Sequence, residues 1–258
     1  MEYPEEEILA ASRGRGEDLS MLVHHPSPQV ISRLLLNSNL TEDHVRVLAR
    51  RRNLTREIIE SIYYDRRWKD SYPIMMALCR NPKTPQNISL SILKSLRIFD
   101  MADLTRNQQI PVAVRIRAEM YILEKILTLP LGIKITLAKR ASSAVLVKLL
   151  QDGMKEVSVA CLDSPILTEG DICRIISMKK TSSQVIRQIA EHPKWSRRYD
   201  VRWSLIRNHY APLAIVVRFL ENIKTNDLKE LYEAPEVPSS TKPFLYRELL
   251  DRGKEPYL

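Results

Sequence analysis

The residues of this 258-residue chain that can do chemistry are few and do not converge. His24 and His25 stand beside Pro26 with no second ligand cluster behind them, and His44, His192 and His209 show no ligand spacing. These histidines are read as structural or surface residues, and no metal site is expected. Cys79, Cys161 and Cys173 are odd in number and share no CxxC spacing. That pattern points to buried, reduced thiols rather than a disulfide framework or zinc ligands. No P-loop, GxGxxG, HExxH, GxSxG or kinase-like set occurs. The expectation is therefore no enzymatic activity, no catalytic residue and no cofactor.

Two carboxylates, Asp100 and Asp227, recur at the same offset, each just before a short apolar segment (Met101 to Leu104, Leu228 to Leu231). A side-chain oxygen there would cap free amide hydrogens at a helix start. Asn81 and Asn208 recur in the same way between segments, where asparagine suits the left-handed geometry of a helix end.

These pairs belong to a longer internal repeat. Residues 40–125 align without a gap on 167–252, with 17 identities in 86 positions at an offset of 127. Trp68 falls on Trp195, Tyr72 on Tyr199, Arg80 on Arg207, Pro111 on Pro238, and Leu40-Thr41-Glu42 on Leu167-Thr168-Glu169. Within each copy, short amphipathic segments follow helix-start signals such as Ser27-Pro28, Leu54-Thr55, Thr84-Pro85 and Ser142-Ser143. Serine or threonine at the N-cap accepts orphan amide hydrogens, and proline at the first turn loses nothing there. The spacing predicts about 18 helices, among them 41–52, 68–80, 85–98 and 111–127, then 168–179, 195–207 and 212–223. Residues 1–129 are expected to form the first helical unit and 130–258 the second, with the seam at Thr128 to Gly132.

Composition agrees. Hydrophobic residues make up 44% of the chain, enough for a core, and six glycines with no long β-branched alternation count against a sheet. No apolar run approaches the roughly 18 residues that span a bilayer. The acidic start, Met1 to Glu7, has no apolar run behind it and does not read as a signal peptide. A cytoplasmic protein without membrane contact is expected.

Short helices on tight proline-containing turns cannot bury their apolar faces alone, so they stack. The Asn-Pro-x-Thr-Pro run at 81–85, the Lys194-to-Arg202 run and Asp-Leu-x-x-Leu at 227–231 resemble bacterial HEAT-like α-solenoid proteins. The resemblance implies an all-α superhelix in two tandem copies, stacked as one continuous solenoid. It implies a scaffold role and carries no catalytic residue.

Charge suggests where such a scaffold binds. The net charge is +9, yet residues 44–80 alone sum to +5 and 171–207 to +6, so the remainder is −2. The same stretches hold the paired aromatics. The candidate binding residues are therefore Arg50, Arg51, Arg52, Arg66, Arg67, Trp68, Lys69 and Tyr72 in the first copy. In the second they are Lys194, Trp195, Arg197, Arg198, Tyr199 and Arg202. The expected partner is a protein, with nucleic acid as the alternative, because basic patches with aromatics suit an acidic surface or a phosphate backbone. The two tryptophans also fit a simpler role as packing anchors. HEAT-like alkylpurine DNA glycosylases are basic, tryptophan-bearing arcs with one catalytic aspartate, and Asp200 between Trp195 and Trp203 is similar. But Asp200 aligns with Pro73, and its arginine neighbours suffice as partners.

Overall fold

A computed structural model describes residues 5–254. Among them the chain forms eighteen α-helices, one 3-10 turn and no strand. The chain divides into two compact units, Met1–Ile122 and Leu123–Leu258. The stretch Met1 to Pro4, on which part of the signal-peptide expectation rests, lies outside the described residues.

In the first unit the helices are α1 (Glu5–Arg13), α2 (Glu17–Leu22), α3 (Pro28–Leu35), α4 (Glu42–Arg50), α5 (Arg56–Tyr64), α6 (Tyr72–Arg80), α7 (Gln86–Leu93) and α8 (Ile98–Arg106). The division falls within α9 (Val112–Lys125), and the turn Ile126–Thr128 follows it. The second unit holds α10 (Leu131–Arg140), α11 (Ser143–Asp152), α12 (Lys155–Leu162), α13 (Glu169–Ser177), α14 (Ser183–Glu191), α15 (Tyr199–Ile206), α16 (Leu213–Leu220), α17 (Thr225–Glu233) and α18 (Lys242–Asp251).

Helices this short are marginal in water by themselves, so packing must hold them. In the first unit α3 packs on α1 and α5, and α4 on α5 and α6. In the second α12 packs on α10, α11 and α14, and α13 on α11 and α15. The interiors are aliphatic: Leu34, Ile59, Ile62, Leu78 and Leu104 in one unit, Leu149, Ile175, Ile186, Leu205 and Leu228 in the other. Each such burial contributes about 1.5–3 kcal/mol.

The predicted helix starts hold in position, but Ser27, Thr55 and Ser142 occupy their N-caps without a side-chain cap bond. The Thr41 and Thr168 hydroxyls accept the backbone N–H groups of His44 and Asp171, whose side chains reach back to close a capping box at α4 and at α13. Thr84 does not cap α7: Pro85 takes the cap position, and the buried Thr84 hydroxyl donates to the Leu78 carbonyl at the end of α6. Trp68 and Trp195 lie in turns rather than in helices. Ser71 caps Ile74 so that α6 starts only at Tyr72, and α15 starts at Tyr199.

Candidate binding site

The aromatic candidates are drawn inward. Trp68 is buried, with the Arg67 guanidinium 5.1 Å from its ring centre. Trp195 is buried too; its indole N–H donates to the Leu162 carbonyl at 2.9 Å, and the Lys194 ammonium lies 3.9 Å from its ring centre. The Tyr72 hydroxyl donates to the Asp100 carboxylate and accepts the Arg97 backbone N–H at 3.1 Å. The Tyr199 hydroxyl donates to Asp227 and accepts the Lys224 N–H at 3.1 Å. Burial, and after it the carboxylate partner, pushes both phenols above their ordinary pKa. Asp100 and Asp227 are thus not the expected caps. They sit at the third residue of α8 and α17, whose N-caps Arg97 and Lys224 make no side-chain cap bond, and they bind the tyrosines instead.

Several cations close helix ends. A helix leaves its last carbonyls unpaired, and a planar guanidinium can take two of them at once. Arg51 donates to the Val23 and His25 carbonyls at 2.5 and 2.8 Å, and burial lowers its pKa. Arg67 donates to the Leu35 and Asn37 carbonyls while pairing with Asp65, and that hydrogen bond holds the Asp65 carboxyl below its ordinary pKa. Arg202 donates to the Ser196 carbonyl at 2.6 Å, and Arg52 to the Gln109 side chain at 2.6 Å. Asparagines do the same work. Asn81 donates to the Ala49 and Arg51 carbonyls at 2.8 and 2.7 Å, and Asn208 to the Ile176 carbonyl at 2.8 Å. The left-handed geometry expected for them is absent, since no described non-glycine residue has positive φ. Of the candidates, Arg50, Arg52, Arg66, Lys69, Lys194, Arg197 and Arg198 are exposed with no ion pair among the described residues, Arg52 being held by Gln109 and Lys194 lying over Trp195.

Burial pushes the Cys79 and Cys161 thiols up to about 12 and raises Cys173, whereas a nucleophile needs the thiolate. His44 sits in its capping box, and His192 lies 3.2 Å from Asp163. Asp200 is exposed on α15 and forms no ion pair with Arg197, Arg198 or Arg202. No group of three or more His, Cys, Asp or Glu among the described residues is placed to hold a metal, and no described helix is long and apolar enough to cross a membrane.

Three surfaces are candidates for binding among the described residues. The first is a pair of grooves, one per unit. A groove of about 450 Å³ in the first unit is lined by Tyr63, Tyr64, Arg66, Lys69, Asp70, Met75, Ser91, Ile92 and Ser95. One of about 350 Å³ in the second is lined by Ala190, Glu191, Ser196, Arg202, Arg218, Phe219 and Asn222. Those seven stand 127 residues after Tyr63, Tyr64, Lys69, Met75, Ser91, Ile92 and Ser95, so the same place in each copy forms a groove while its chemistry differs.

The second surface is a cleft of about 520 Å³ in the second unit. Trp203 and Arg207 face it from α15, Met178 and Lys179 from the end of α13, His209 and Tyr210 from the turn after α15, and Glu236 from the loop before α18. Arg207 pairs with Glu236 at 3.2 Å. No motif in the sequence singles out Tyr210 or Glu236. The signal was available in the repeat, where Trp203 stands opposite Met76 and Tyr210 opposite Lys83.

The third surface is a stripe on α9. Val112, Ile116 and Met120, four residues apart, are 57%, 50% and 43% exposed. No family model matches the chain, and no curated protein or solved structure matches it either.

Proposed function

We propose that the chain is a non-catalytic cytoplasmic scaffold, a HEAT-like α-solenoid of two tandem units whose surface takes a protein partner. Two features support the solenoid. Helices in each unit pack on their next and next-but-one neighbours, as stacked repeats do. And the Tyr–Asp bonds, capping boxes and asparagine ties recur at an offset of 127.

The observation that carries the function is the α9 stripe. Apolar side chains at i, i+4 and i+8 share one helix face, the face that normally packs inward. Here that face meets solvent, which suits a partner's helix or groove. The test is a photo-cross-linking amino acid at position 116, with exposed Glu156 as control site, in the native host. A discrete protein adduct at 116 and none at 156 supports the scaffold. No protein adduct at 116, or the same adducts at both sites, overturns it.

Nucleic acid is the second reading, favoured by the exposed Arg66 and Lys69 beside Tyr63 and Tyr64 in the first groove. It requires a gel shift that weakens steeply with salt and disappears in a variant carrying Arg66→Glu and Lys69→Glu.

A further inference from the structure

We propose that the second-unit cleft binds an acidic peptide segment of the protein partner, with one apolar or aromatic anchor side chain against Trp203 and Tyr210. The inference rests on the protein-binding reading and names what the partner must present.

Size and residue type come first. A cleft of about 520 Å³ can take one large side chain with its flanking backbone. Trp, Tyr and Arg are the residues that dominate binding energy at protein interfaces, and Trp203, Tyr210 and Arg207 line this cleft together.

Comparison within the chain sharpens the point. At the positions 127 residues earlier stand Met76, Lys83, Arg52 and Gln109. Met76 is buried, and Arg52 bridges to Gln109 at 2.6 Å. In the second unit the methionine becomes Trp203, only half-buried, and the lysine becomes Tyr210, 58% exposed. The Arg207 guanidinium lies 6.0 Å from the Trp203 ring centre, and the rest of that ring and Tyr210 are open to a ligand.

Charge sets the sign of the ligand. The one carboxylate of the cleft, Glu236, is already paired with Arg207. Lys179 and Lys180, exposed beside it, are left to face the ligand, so the cleft favours an anion. A peptide supplies both halves of such a ligand, an apolar anchor for Trp203 and Tyr210 and a neighbouring carboxylate for Lys179.

The test is selection of random dodecapeptides on the immobilised full chain. The expected consensus has an aromatic or large aliphatic residue flanked by Asp or Glu. A synthetic consensus peptide should then lose affinity roughly tenfold or more with Lys179→Glu, with Tyr210→Ala and with Trp203→Ala, and should keep it with Ile116→Glu. The first two positions are exposed, so those variants report on binding even where Trp203→Ala unfolds. No enriched set, a consensus without acidic residues, or full affinity in the Lys179 and Tyr210 variants overturns the proposal. So does displacement of the peptide by oligothymidylate, which would assign the cleft to nucleic acid. Failure here with the adduct at position 116 intact removes the peptide site and leaves the scaffold standing.

Discussion

The Tyr72 hydroxyl donates to the Asp100 carboxylate, tying the first turn of α6 to the first turn of α8. The same oxygen accepts the Arg97 backbone N–H, an orphan donor at the start of α8. Tyr199 and Asp227 repeat the arrangement with Lys224. One hydroxyl thus satisfies both a carboxylate and a helix N-terminus. Tyr72→Phe should cost about 1–2 kcal/mol in urea unfolding, because it removes a bond to a charged acceptor and strands a helix N–H. Combined with Asp100→Asn, the loss should be smaller than the sum of the single losses, since the two side chains share one bond. Strict additivity would show that they act independently.

The same phenol gives a pH dependence of defined sign. Burial first, and the Asp100 bond second, raise the Tyr72 pKa in the folded state. A group whose folded pKa is raised stabilises fully below its unfolded value, about 10 for tyrosine, and loses that stabilisation as pH climbs through the folded value. The gap in unfolding midpoint between wild type and Tyr72→Phe should hold steady to about pH 9 and narrow above about pH 10. A gap that widens with alkali would contradict the bond.

The two neighbouring arginines should behave oppositely. Arg67 takes the Leu35 and Asn37 carbonyls and pairs with Asp65, while Arg66 is exposed at the rim of the first groove. Lysine cannot reproduce a two-carbonyl fork, so Arg67→Lys should cost about 1 kcal/mol or more. Arg66→Glu should stay within about 0.5 kcal/mol of wild type, as surface changes do. Thermal melts of both variants decide this. Equal losses would mean that the exposed guanidinium is also structural.

Arg66 and Arg67 also mark where the sequence stops being legible. Helix positions were readable because apolar spacing and cap residues are local signals, and Thr41 and Thr168 cap as their neighbours suggest. Basic residues next to tryptophan read as one patch, yet a guanidinium chooses between solvent and a carbonyl about 30 residues away, and only tertiary structure shows which. Asp100 is a related case. A recurring acid before an apolar segment reads as a cap, but its partner Tyr72 lies 28 residues back. The Trp203–Tyr210 cleft was hidden for another reason. Alignment of the copies draws the eye to identities, whereas this site sits where the copies differ.

The second unit buries one ion pair whose partners should not be equal under mutation. The Lys134 ammonium lies 2.6 Å from the Asp152 carboxylate, and their side chains are only 5% and 16% exposed. The Leu127 carbonyl, 3.5 Å away, is a further acceptor. Removing a charge from water is costly, and a close counter-charge only offsets that cost. Asp152→Ala leaves the more deeply buried ammonium uncompensated and should destabilise by about 3 kcal/mol or more. Lys134→Met removes the buried cation, fills the space with an apolar chain of similar length, and leaves a carboxylate that still touches solvent, so its loss should be clearly smaller. Replacing both, with Lys134→Met and Asp152→Leu, should recover most of the Asp152→Ala loss, because neither charge then remains. Urea unfolding of the three variants tests the order. A Lys134→Met protein as unstable as Asp152→Ala would mean that the ammonium holds α10 to α11 through its bonds rather than as a tolerated buried charge.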